Sequence, residues 1–129
     1  MSPAITALYA GLLGLLYIVL GGFVVAQRRR ARIGIGTGSD SSLERAVRVH
    51  GNFAEYAPLF LVLLLIAELS GSVSWLLHVL GAAFLLARLG HAFGLGRSSG
   101  TSAGRFLGTL VTWVAITVLA MTNIVLALT

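Results

Sequence analysis

The sequence predicts an all-α integral membrane protein, a bundle of four spanning helices. Hydrophobic residues make up 57% of the 129-residue chain and charged residues only 10%, against roughly a quarter charged in soluble domains. Mean hydropathy is +0.97. A spanning helix needs about 20 mainly apolar residues at a rise of about 1.5 Å each, and four segments reach or approach that length.

The first span, Ile5 to Ala26, contains no charge. Its apolar run is too long for the core of a secretory signal and no basic stretch precedes it, so it reads as a retained span. The second has a short apolar part, Tyr56 to Leu69, which becomes a full span when extended upstream to Leu43. Ser41 with Glu44 three residues on is a capping-box pattern and places the helix start there, while Gly71 ends it in a tight turn. Pro58 within it removes one backbone hydrogen bond and introduces a kink. The third span, Val73 to Phe93, encloses Arg88, His78 and His91. The fourth, Phe106 to Leu128, is again free of charge. The spans therefore cover about 5–26, 43–69, 73–93 and 106–128, in a single membrane domain.

All nine basic residues are arginine. Arg28, Arg29, Arg30 and Arg32 follow the first span, Arg45 and Arg48 lie on the same side, and Arg97 and Arg105 flank the loop between the third and fourth spans. The connection from Leu69 to Val73 has no basic residue. The positive-inside rule puts both arginine-bearing loops in the cytoplasm and both termini outside. A net charge of +5 does not imply nucleic-acid binding here, because the arginines adjoin spans and suit anionic lipid headgroups. Gly34, Gly36 and Gly38 lack the strand and βαβ setting of a dinucleotide site. With no cysteine, disulfides, thiolate nucleophiles and thiolate-held metals are excluded, and any thiol must arrive with a ligand.

Function is expected where polar groups enter the spans. Arg48, Asn52, Glu55 and Tyr56 fall at i, i+4, i+7 and i+8 on one helix face, with Arg45 extending the row. Charges facing lipid cost about 2.5–3.5 kcal/mol each on insertion scales, so the row is expected to face protein or a water-filled cavity. It reads either as polar glue between helices, with Glu55 paired to Arg48 or to Arg88, or as a ligand site. Arg88 and His91 share a face three residues apart, and Glu55 is the expected partner of Arg88. His50, His78 and His91 cannot converge as a zinc site needs, and no metal is expected. Glu68 and His78, toward the outer surface, receive no role. In the small-residue loop Gly94 to Gly104, Arg97 and Ser98 lie near Arg105, which opens the fourth span. Arginines beside helix-start N–H groups can hold a carboxylate or stabilise a thiolate.

The segment Arg48-Val-His-Gly-Asn52-Phe-Ala-Glu55-Tyr56-Ala-Pro58 resembles the second-helix motif of the MAPEG family, the membrane-associated proteins in eicosanoid and glutathione metabolism. Ala87-Arg88-Leu89 with His91 looks like the family's third-helix signature, and the resemblance covers the whole four-span plan. It implies a homotrimer in a bacterial inner membrane, with glutathione as co-substrate bound between subunits near the cytoplasmic side. Arg48, Asn52, Glu55 and Tyr56 would contact glutathione, Arg88 and His91 would line the pocket, and Arg97 and Ser98 are weaker binding candidates. Arg105 is the nearest match to the catalytic arginine that stabilises the thiolate. One departure is Leu95, where several family enzymes carry tyrosine near the end of the third helix.

The expected function is a glutathione-dependent transferase or peroxidase acting on a lipophilic electrophile that enters from the bilayer. Two alternatives stand beside it. One is a lipid-binding protein that keeps the fold without chemistry. The other is a small proton-coupled exporter using Glu55 as its membrane carboxylate.

Overall fold

A computed structural model describes residues 2–97 and 102–129, the side chains of 95–97 excepted. It contains four helices: α1 (Ala4–Ala31), α2 (Ser41–Leu69), α3 (Ser74–Arg97) and α4 (Ala103–Leu128). All four are long and apolar enough to cross a membrane. Each extends past the apolar core read from the sequence, because caps and arginine-bearing turns continue the backbone pattern beyond the hydrocarbon.

The helix ends show what fixes the chain's path. At the end of α2, the Gly71 N–H donates to the Glu68 carbonyl at 3.1 Å and the Ser72 N–H to the Ala67 carbonyl at 2.9 Å. This is a Schellman closure, and Gly71 supplies its left-handed residue at φ 87°. The start of α2 corrects the capping-box expectation. The helix begins at Ser41, but its cap is Asp40, whose carboxylate accepts from the Leu43 N–H at 2.9 Å. A carboxylate caps better than a hydroxyl when a cation stands beside it, and Arg30 donates to Asp40 Oδ1 at 2.6 Å. That Arg30 contact, followed by the Leu43 N–H bond, holds the Asp40 carboxyl below the usual aspartate range. Arg28 donates to the carbonyls of Ile33 and Gly36. Two of the loop arginines thus tie α1 to α2 as well as marking a membrane face.

The start of α1 has no capping side chain of its own, since Pro3 occupies the cap position. Glu68 of α2 caps it instead: its carboxylate accepts from the Ile5 N–H at 2.8 Å and the Thr6 N–H at 2.7 Å. Glu68 is 8% exposed, so the expectation of a surface residue without a role is corrected. His78, also left without a role, accepts from the Tyr9 hydroxyl through its backbone carbonyl at 2.9 Å.

Among the described residues α1 and α4 do not touch; they lie on opposite sides of the α2–α3 pair. The core between them includes Leu13, Phe53, Phe60, Leu64, Leu77 and Leu119, with Phe60 and Phe84 stacked at 3.9 Å between centroids. The α3–α4 seam is closer than any other. Gly94 of α3 and Gly104 and Gly108 of α4 turn toward the opposite helix and let the backbones meet. A Cβ on Gly108 would lie 2.6 Å from the Ala87 carbonyl oxygen, and one on Gly104 2.7 Å from the Gly90 carbonyl oxygen. Helix α2 stays helical through Pro58.

Candidate functional site

The polar row of α2 lies beside α3 and α4 in the half of the bundle nearer the arginine-bearing loops. Arg88 of α3 is its centre. It is 2% exposed, and its Nη2 donates to Asn52 Oδ1 at 2.8 Å. Its guanidinium lies 5.6 Å from the Tyr56 ring centroid, over the face. The Tyr56 hydroxyl in turn accepts from Trp113 Nε1 of α4 at 3.0 Å. Asn52, Tyr56, Arg88 and Trp113 therefore form one connected group across three helices.

Two expectations change here. Glu55 is not the partner of Arg88; it pairs with Arg48 at 3.6 Å. The row is also not uniformly interior, since the Arg48 and Glu55 side chains are 55% and 56% exposed on the single chain. The reason is geometric. Residues four and seven apart diverge by tens of degrees around a helix, so one edge of the row meets α3 while the other faces outward. An isolated acid beside Arg88 is replaced by a neutral amide and a ring face, which leaves the guanidinium without a counter-charge. Its Nε and Nη1 are buried without a hydrogen-bond partner among the described residues.

His91 is buried one turn along α3. It packs on α4 at the glycine seam, where a Cβ on Gly108 would fall 2.8 Å from its own Cβ. Arg105 does not open α4. It is the helix's third residue, and its N–H donates to the capping Ser102 hydroxyl at 3.3 Å. That N–H is thus already used, which corrects the view of a helix start with all its donors free for an anion. The Arg97 side chain and Ser98 lie outside the described residues. Arg45 donates to Ser42 at 3.2 Å, at the loop end of α2.

Sequence reasoning missed Trp113. A tryptophan inside an uncharged span, with a donor that needs an acceptor at membrane depth, was the signal that could have found it. Chemically the assembly offers excess positive charge, from Arg48, Arg88 and Arg105, with one carboxylate, Glu55, at its open edge. That pattern suits a ligand carrying more than one anionic group and one cationic group.

The comparisons with known proteins agree with the four-span plan. The chain is 36% identical over 126 residues to the inner membrane protein YecN of Escherichia coli K12, covering 93% of this chain and 90% of the relative. The protein of the same name from Escherichia coli O6:H1 matches equally. Four spans and these relatives make it an integral inner-membrane protein. The MAPEG family model matches residues 6–125, nearly the full length and all four helices, and the chain belongs to that family.

Proposed function

We propose that the protein is a glutathione-dependent transferase or peroxidase acting on lipophilic electrophiles, assembled as a homotrimer with glutathione held between subunits near the cytoplasmic face. The observation that carries this reading is Arg88, 2% exposed with two guanidinium nitrogens unpartnered among the described residues, beside an Arg48–Glu55 pair that stands more than half exposed within a spanning helix. Neither arrangement is stable against lipid. Both are accounted for if a second copy covers the outer edge of the row and encloses an anionic ligand. Glutathione has the matching groups: two carboxylates for Arg48 and Arg88, an ammonium for Glu55, and a thiol.

In this mechanism Arg105 stabilises the thiolate once the thiol proton has passed to solvent. With a transferase substrate, sulfur bonds the electrophilic carbon and the leaving group departs with its electron pair. With a hydroperoxide, the thiolate attacks the distal oxygen, the O–O bond breaks to give the alcohol, and a second glutathione converts the sulfenic product to disulfide and water.

The test is titration calorimetry of the purified protein with glutathione, together with conjugation of a model aryl halide. Binding that Arg48→Ala abolishes, with turnover that Arg105→Ala abolishes, is the expected result. No binding at millimolar glutathione sinks the proposal. Leu95, at a position where several family enzymes carry tyrosine, favours a second reading, a lipid-binding member without chemistry; it predicts lipid-dependent stabilisation and no turnover. The exporter reading gains no support, because Glu55 is paired with Arg48 rather than isolated.

A further inference from the structure

Beside the polar row of α2, at its loop end, a groove of about 490 Å³ opens between α1, α2 and α3. Leu20 and Phe23 of α1, Val49 of α2, and Leu89 and Phe93 of α3 form its walls, and Gln27, Ser42 and Arg45 close one end. The polar end is organised. Arg45 donates to Ser42, and the Gln27 side-chain Oε1 accepts from Arg30 Nε at 2.7 Å. Between Arg28 and Arg45 the chain carries five arginines against two carboxylates, Asp40 and Glu44. The mouth therefore sits in a positive field, while the body of the groove is apolar.

The dimensions select the occupant. Along α1 the groove runs from Leu16 to Gln27, about 16 Å at the helical rise, which is about half the ~30 Å hydrocarbon thickness. It is one leaflet deep and ends where headgroups begin.

We propose that this groove holds one acyl chain of an anionic phospholipid from the leaflet on the arginine-rich side, with the headgroup phosphate at Arg45 and Ser42. The site is separate from the Arg48–Arg88 cluster and does not rest on the glutathione reading.

The experiment is native mass spectrometry of the full-length protein in neutral detergent, titrated with phosphatidylglycerol or phosphatidylcholine of identical chains, and with oleate as the free-acid arm. The expected result is one retained phosphatidylglycerol per chain. Its preference over phosphatidylcholine should be about fivefold, the equivalent of about 1 kcal/mol per arginine at an anionic surface. Arg45→Gln should erase that preference. Ala46→Leu with Ala92→Leu, which fills the groove, should remove the adduct, whereas Val114→Leu on the exposed face of α4 should leave it. Equal retention of the two lipids by the unmodified protein overturns the proposal, as does an adduct indifferent to the filled groove. Oleate binding in place of phosphatidylglycerol also overturns it, and so does a filled groove that lowers the oligomer mass while lipid is retained. If the filled variant does not fold, Arg45→Gln decides alone: an unchanged preference overturns the site.

Discussion

Replacing Glu68 tests how the first helix is anchored. Its carboxylate accepts two first-turn N–H groups, those of Ile5 and Thr6, at 2.8 and 2.7 Å, and Pro3 offers no side-chain cap of its own. Hydrogen bonds to a charged acceptor contribute about 1.5–3 kcal/mol each, and a negative charge at a helix N-terminus about 0.3–1 kcal/mol. Water admitted to this end of the bundle recovers part of the loss in Glu68→Ala, so a destabilisation of about 3–5 kcal/mol is expected. Glu68→Gln keeps one acceptor oxygen and should lose about half as much. The assay is thermal unfolding in detergent by circular dichroism, with hydrogen exchange at residues 5–8 reporting where protection is lost. Glu44→Ala, at an exposed first-turn position of α2, serves as the control, expected within about 0.5 kcal/mol of the unmodified protein. A Glu68→Ala protein as stable as this control, or one that loses protection in α2 while keeping it in α1, would refute the cross-helix cap.

Three further outcomes follow from the geometry. Gly108→Ala should destabilise by about 1–3 kcal/mol through overpacking, because its new Cβ meets the backbone of Ala87 and His91; Gly11→Ala, with open space around it, should not, and paired melting curves check the contrast. Asn52→Leu strips Arg88 of its one hydrogen-bond acceptor among the described residues and should cost about 3 kcal/mol, whereas the double variant Asn52→Leu with Arg88→Met should recover most of it, as read in a double-mutant cycle. The Asp40 carboxyl is held below its usual range chiefly by Arg30, so its contribution to the α1–α2 turn is complete above about pH 4 and is lost as pH falls through the lower folded value. Proteolysis or exchange at residues 33–43 should rise across that window in the unmodified protein and stay flat in Asp40→Asn.

The four spans were legible because lipid imposes one strong requirement, satisfied only by long apolar helices. Gly71 was legible for a local reason: a left-handed residue is cheapest as glycine, and the two bonds that close α2 involve residues within five positions. The caps were harder. Ser41 with Glu44 gives a sound local pattern, but the choice between Ser41 and Asp40 depends on Arg30, ten residues before Asp40 and across a turn. Glu68 was illegible as a cap because its N–H partners lie more than sixty residues earlier in the chain. The α3–α4 seam was present in the sequence as Gly94, Gly104 and Gly108, yet only the packing shows that these glycines, unlike Gly90, turn toward the opposite helix.

The candidate site shows where periodicity stops resolving. At 3.6 residues per turn, taking Arg48 as zero, Asn52 lies at about 40°, Tyr56 at about 80° and Glu55 at about −20° around α2. An apolar or polar stripe is about 100° wide, so all four residues share one face in any pattern read from sequence. Packing divides that face. The edge carrying Asn52 and Tyr56 turns toward α3 and α4, where it meets Arg88 and Trp113; the edge carrying Arg48 and Glu55 turns away. Charge matching alone assigns Glu55 to Arg88, since an acid is the obvious complement of a buried base. The angular order forbids it: Glu55 lies about 60° beyond Asn52 on the far side of the row. A chain that wished only to bury Arg88 stably would have the acid at position 52. With an amide there, the arginine is positioned but not neutralised, and the carboxylate stands at the rim, 3.6 Å from Arg48. Separating the two in this way leaves positive charge available inside and a single negative charge at the opening, the distribution that a zwitterionic ligand with surplus carboxylate would match.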